Sequence, residues 1–153
     1  MTNIVINGLM IHQVTTDTEL YAIWPKVRDG INTIEKRCKG VFYRPEDCYH
    51  DIKSGTMQLL IANDVITGVY EGFALTQEMN YPDGKGLHIK AMHHRGIYKG
   101  FVDDLFDAIE VIAKRFNIMR ISYSSSRKGW EKRTEHKSYK RVASIHYFEK
   151  EIP

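Results

Sequence analysis

Leu87-His88-Ile89-Lys90-Ala91-Met92-His93, the loop His94-Arg95-Gly96-Ile97-Tyr98-Lys99-Gly100, and the segment from Phe101 to Phe116 together decide the fold. The first seven residues read as a buried strand. From Phe101 onward, Phe101, Val102, Leu105, Phe106, Ile109, Ile112, Ala113 and Phe116 recur at three- and four-residue spacing, which is one apolar face of a helix. Asp103, Asp107 and Glu110 take the opposite face. A strand that feeds a helix through glycines and cations aims backbone N–H groups and a helix N-terminus at whatever occupies the turn, which favours a phosphate or a carboxylate.

Outward from this stretch, the alternating segments Thr56 to Ala62 and Val69 to Asn80 read as strands. The turn from Tyr81 through Pro82-Asp83-Gly84 to Gly86 joins the second to Leu87–His93, completing a three-stranded antiparallel meander. Downstream, Asn117 ends the helix, and Ile118 to Tyr123 must return parallel to Leu87–His93 because a helix has intervened. Ser124-Ser125-Ser126 precedes a fourth helix from Arg127 to about His136, and one or two strands fill Tyr139 to Glu149. Towards the N-terminus, Ile4 to Val14 reads as one edge strand. Thr15-Thr16-Asp17 starts a helix that carries Leu20, Ile23, Trp24, Val27, Ile31 and Ile34 to about Lys36, with Pro25 as a kink or a restart. Pro45-Glu46-Asp47 opens a short helix that stops at Gly55.

At 153 residues, with 42% hydrophobic and 27% charged, the chain is expected to form a single domain over 1–153 and to be neither disordered nor fibrous. The N-terminal apolar run lacks a preceding basic segment and reads as a strand rather than a signal peptide, and no window approaches a membrane span. Two lone cysteines, Cys38 and Cys48, suit a reducing, cytoplasmic setting. Net charge is +3, unevenly spread: Lys114, Arg115, Arg120, Arg127, Lys128, Lys132, Arg133, Lys137, Lys140 and Arg141 face only Glu131 and Glu135. Such a run can steer an anionic ligand or nucleic acid, but cationic stems on a solvated helix face account for it more simply, and nucleic acid is not the expected partner.

The order strand, two helices, three-stranded meander, helix, strand, helix, strand resembles the GNAT-fold N-acetyltransferases. Trp24-Pro25, Asp47-Cys48, Gln58-Leu59 and Gly72-Phe73 resemble positions that recur in that superfamily. The end, Arg127-Lys128-Gly129-Trp130, Lys137-Ser138-Tyr139-Lys140 and Phe148-Glu149-Lys150, is most similar to the small GNAT-like proteins of tailed bacteriophages. The resemblance implies an α/β fold: a mixed, mostly antiparallel twisted sheet with helices on both faces and a splayed parallel strand pair. It also implies acetyl-CoA as cofactor, with a small amine or a protein amine as acceptor. The alternative it carries is a catalytically inactive structural or host-interaction protein of a phage, placed in the host cytoplasm or the virion.

In the family, the loop after the splayed strand reads Gln/Arg-x-x-Gly-x-Gly/Ala, and its backbone cradles the pyrophosphate of acetyl-CoA. Arg95 and Gly100 match its ends, while Tyr98 stands where the middle glycine belongs. A tyrosine side chain is large enough to fill the space the cofactor needs. Gly96 and Lys99 add flexibility and charge. The resemblance thus assigns Met92, His93, Arg95, Gly96, Lys99 and Gly100 to the cofactor, the first two through backbone groups. For proton transfer the candidates are Glu71, Glu78, His93, His94, Tyr123 and Tyr139, of which Glu71, His93 and Tyr139 are the catalytic set. Thr134 falls where many members present a tyrosine that protonates the leaving thiolate. No metal site is expected, since no Cys, Asp or Glu stands beside His93-His94 at ligand spacing.

Overall fold

Six strands form one sheet in which each pairs with the next in sequence: β1 (Ile4–Ile6), β2 (Leu9–Gln13), β3 (Gln58–Asp64), β4 (Tyr70–Tyr81), β5 (Gly84–His94) and β6 (Arg120–Tyr123). All neighbours run antiparallel except β5 and β6, which are parallel, as the intervening helix requires. The computed structural model describes residues 3–37, 44–125, 129–140, 142 and 150–152. Its helices are α1 (Asp17–Arg37), α2 (Pro45–Ser54), α3 (Phe101–Arg115) and α4 (Trp130–Thr134), the last followed by a 3-10 turn at Glu135–Lys137.

Strand alternation divides the core between two faces. Leu60, Ala62, Ala74, Leu87 and Ile89 pack with Phe101, Leu105, Phe106 and Ile109 of α3. Leu59, Ile61, Phe73 and Leu75 pack with Leu20, Val27 and Ile31 of α1 and Cys48 of α2. Helices therefore cover both faces. The Thr16 hydroxyl accepts the Glu19 N–H at 3.2 Å to cap α1, which runs unbroken through Pro25. Gly55 ends α2 at φ 83°, and Asn117 ends α3 at φ 55°.

Three expectations are corrected. Ile4 to Val14 is a hairpin rather than one strand: Ile6 pairs with Leu9 across Asn7-Gly8, with Asn7 at φ 52°. Asn-Gly is a strong hairpin signal, and here it overrides the continuous apolar pattern. Helix α4 begins at Trp130, later than Arg127, and gives way to the 3-10 turn at Glu135, before His136. Strand β6 starts at Arg120 because Ile118 still donates its N–H to Ala113 O at 2.9 Å and belongs to the end of α3. Ser126 to Lys128 and most of the expected terminal strand lie outside the described residues.

Two irregularities, one between β4 and β5 and one between β3 and β4, set where the side chains of the central strands point. The β4–β5 register shifts between Leu75 and Thr76, where Ala91 and Ile89 are successive partners and Lys90 is the extra residue. A bulge reverses the alternation beyond it and bends the strand. Accordingly, Leu87 and Ile89 pack towards α3, whereas Ala91 packs towards α1. A second shift between Ala62 and Asn63 leaves Glu71 as the extra residue of β4.

Cys48 is buried and free, and burial pushes its thiol up to about 11. In a Cys38→Ser background, a thiol reagent at pH 8 is expected to label Cys48 only on unfolding. Labelling of the native protein at the rate of a free thiol would show that α2 opens locally.

Candidate functional site

Pairing between β5 and β6 ends at Ile89 opposite Tyr123, one residue before the Lys90 bulge. β6 itself ends there, while β5 continues to His94 paired with β4, so among the described residues its other edge carries no strand from Lys90 on. As neighbours in a strand the two histidines point to opposite faces, and the reversed alternation decides which face each takes. His93 lies opposite Phe73, ring centroids 6.1 Å apart, and beside Gly30 of α1. A Cβ on Gly30 would stand 3.0 Å from the His93 Nδ1 and 2.5 Å from Phe73, so the absence of a side chain there is what admits the imidazole. His94 stacks on Phe101 of α3 at 4.8 Å and accepts the Gly96 N–H on Nδ1 at 3.2 Å. The two rings share no ligand position. Both are held below the usual imidazole range: His93 by burial and then by His94 and Arg37, His94 by burial and Arg133 against an opposing pull from Glu71.

Glu71 is 4% exposed and accepts two hydrogen bonds from Arg95, at 2.9 Å from Nη2 and 3.4 Å from Nε, while Arg95 N–H donates to Glu71 O at 2.9 Å. The pattern of Val69, Phe73 and Leu75 suggests an inward row for Glu71. Glu71 keeps that alternation with Phe73 and is buried, the reversal falling at Tyr70, which packs in the same α1-side cluster as Phe73 and Leu75. Two residues assigned to separate roles, base and phosphate ligand, thus form one forked ion pair. Glu78 sits far along β4 opposite Leu87, exposed, with Lys85 at 3.9 Å.

The loop turns at Gly96 (φ 82°) and Gly100 (φ 78°), and a Cβ at either would meet nothing within 4 Å. Gly100 precedes α3 without a side-chain cap, and the first bond into the helix runs from Asp104 N–H to Gly100 O at 3.0 Å. The N–H groups of Phe101, Val102 and Asp103 are those a helix cannot satisfy itself. Lys99 is exposed on this loop. Tyr98 points elsewhere. Its hydroxyl accepts the Gly8 N–H at 3.1 Å and donates to Asp104 Oδ2 at 2.7 Å, and Asp104 Oδ1 accepts from Asn7 Nδ2 at 2.8 Å. The ring is therefore packed against the β1–β2 turn, at the sheet edge opposite β6.

Tyr139 stands on the α3 face, against Phe106 and Tyr123 at 5.3 and 5.5 Å, and burial with Glu110 and Tyr123 pushes its hydroxyl up to about 12. It belongs to a different cluster from His93. Thr134 is buried, 2.6 Å from the Tyr123 hydroxyl, and donates to Trp130 O at 3.0 Å. Met92 packs on the α3-side cluster. Part of the basic run is internally paired: Lys137 binds Asp107 at 2.6 Å, and the Arg133 guanidinium lies 5.3 Å over the Trp130 ring. Among the described residues, no helix is long and apolar enough to cross a membrane.

Asn7, Gly8, Gly30, Gly72 and Asp104 shape this end of the sheet, and sequence reasoning gives none of them a role in the site. Asn7-Gly8 carries a turn signal. Asp104, three residues after Phe101, carries none that distinguishes it from the exposed Asp103 or the half-buried Asp107.

No family model and no curated protein matches the sequence. Solved structures do. A possible acetyltransferase from Clostridium difficile 630 superposes with a TM-score of 0.71 at 12% identity, over 96% of this chain and 100% of that one. A GNAT family acetyltransferase from Staphylococcus aureus gives 0.63 at 14%, over 95% and 99%. A protein described as a "predicted acetyltransferase with acetyl-CoA" from Clostridium acetobutylicum gives 0.64 at 13%, over 92% and 96%. These likenesses carry the architecture and have no bearing on the bacteriophage resemblance. The chain is built on the fold of the GNAT acetyltransferases.

Proposed function

We propose that the protein is an acetyl-CoA-dependent N-acetyltransferase acting on a small amine or a protein amine. The observation that carries this reading is that β5 runs on past the end of β6, beyond the Lys90 bulge. A glycine-turned loop and an uncapped helix N-terminus follow at the end of this same strand, which presents His93 to the other face. The residues fit the cofactor. Gly96 and Gly100 stand in open space, and Tyr98 is drawn away to Gly8 rather than lying over the loop.

Bound acetyl-CoA supplies the acyl group as an activated thioester. The loop from Arg95 to Gly100 and the first turn of α3 would hold its pyrophosphate through backbone N–H groups, with Lys99 adding charge. Backbone groups of Met92 and His93, beyond the last β6 partner, would pair with the pantetheine arm. His93, neutral at pH 7 because its conjugate acid is disfavoured by burial, accepts the proton of the acceptor amine. Glu71 fixes the Arg95 backbone and guanidinium at the loop's start. Tyr139, on the α3 face, keeps its proton at neutral pH and would be the hydroxyl donor for a leaving thiolate. Positioning the amine against the acyl carbon supplies much of the remaining rate.

Isothermal titration with acetyl-CoA and CoA tests the reading. Binding in the micromolar range is expected, where enzyme substrates commonly fall. Lys99→Glu should weaken that binding about tenfold and leave thermal stability unchanged, since the side chain is exposed. No heat at millimolar cofactor would leave a scaffold without turnover, the alternative drawn from the sequence.

A further inference from the structure

We infer that Tyr98 is a positioning residue for the cofactor loop, a latch whose side chain does by anchoring what a glycine at that place does by backbone freedom. The inference deepens the acetyltransferase reading and depends on it for its ligand. Three elements meet at the Tyr98 hydroxyl: the distant β1–β2 turn through Gly8 N–H at 3.1 Å, α3 through Asp104 at 2.7 Å, and the loop itself. Asn7 completes the ring of bonds by donating to the second oxygen of Asp104 at 2.8 Å. Asp104 is 7% exposed, so its carboxylate depends on these donors for the hydrogen bonds water would otherwise give.

The geometry explains how a large residue is tolerated in the middle of the loop. Gly96 and Gly100, both at positive φ, supply the two reversals the chain needs on either side of Tyr98. The residue between them is then free to place its side chain towards β1. There the ring fills the space over Gly8, where a Cβ would already stand 3.4 Å from it. Asn7, held at φ 52°, presents its amide to Asp104 from the hairpin turn. With its centre tied to the sheet edge, the loop keeps the ordering cost of its backbone out of the binding step.

The test compares two probes, CoA and S-acetylpantetheine, the second lacking the pyrophosphate and the nucleotide. Tyr98→Phe keeps the ring and removes the hydroxyl. Asn7→Gly keeps the turn conformation and removes the amide. The latch predicts that Tyr98→Phe weakens CoA about five- to tenfold, the scale of one hydrogen bond, while S-acetylpantetheine binds or reacts as with wild type. Asn7→Gly should shift CoA affinity in the same direction by a smaller factor. A general loss of structure would move both probes together, and that outcome overturns a specific positioning role. Unchanged CoA affinity in both variants overturns the latch and leaves the acetyltransferase reading standing. A wild-type protein that fails to bind CoA overturns that reading instead, and the role of Tyr98 towards a cofactor falls with it.

Discussion

Replacing Gly72 with alanine is expected to destabilise the protein by about 3 kcal/mol or more, at the upper end of the cost of overpacking. A Cβ at Gly72 would stand 2.3 Å from the His93 carbonyl oxygen, 2.5 Å from Phe101 Cζ and 2.9 Å from His94 Cα. Two of these atoms are backbone of β5 and cannot retreat without opening the β4–β5 ladder. The third belongs to a ring that is 1% exposed at the first turn of α3. Relief in any direction therefore disturbs either the strand that carries both histidines or the helix at the far end of the loop. Urea denaturation measures the effect, as a fall in midpoint at constant slope. A wild-type midpoint would mean that the strands do not approach this closely.

The largest expected effect on catalysis is at His93. His93→Ala should lower kcat by about a hundredfold or more, within the range a general base contributes, and should leave CoA affinity within about twofold because only its backbone is assigned to the cofactor. Burial, His94 and Arg37 all disfavour the imidazolium, so the group loses its proton below the ordinary imidazole value near 6.5. Its useful form, the neutral base, thus predominates at pH 7 and is lost as pH falls through that lowered pKa. The rate profile of the wild type should show an acid limb from His93 below about pH 6.5. In His93→Ala that limb disappears, while any limb due to protonation of the amine substrate remains. A variant with the wild-type profile would remove His93 from the chemistry.

Much of the architecture is legible in the sequence because its signals are periodic. The α3 face, the meander, the parallel return of β6 and the Gly55 and Asn117 stops all follow from spacing and turn chemistry, and the structure reproduces them. The two bulges are not legible. A bulge adds one residue without a compositional mark, so the strand Leu87–His93 gives no sign that Lys90 moves His93 to the α1 face. Nor does the strand pattern show that Glu71, buried in its inward row, is met there by Arg95 in a forked pair. At Tyr98 the family pattern poses a backbone requirement, whereas the side chain is what matters. Its partners lie 90 positions away at Gly8 and six away at Asp104, and only the first of those separations needs the fold to become visible.

The bond from Asn7 to Asp104 closes a span of 97 residues. Contacts of that separation come late in folding, because the chain must first meet the entropy of closing the loop. The β1–β2 hairpin is synthesised before α3, yet Asn7 meets Asp104 only once α3 has been made and laid across the sheet. The loop that would face the ligand therefore takes its final shape only when the sheet edge, the helix and the hairpin are all in place. A chain whose sheet is frayed at β1 is in the same act deprived of an ordered loop, so that binding at this site reports on the integrity of the fold from one edge to the other.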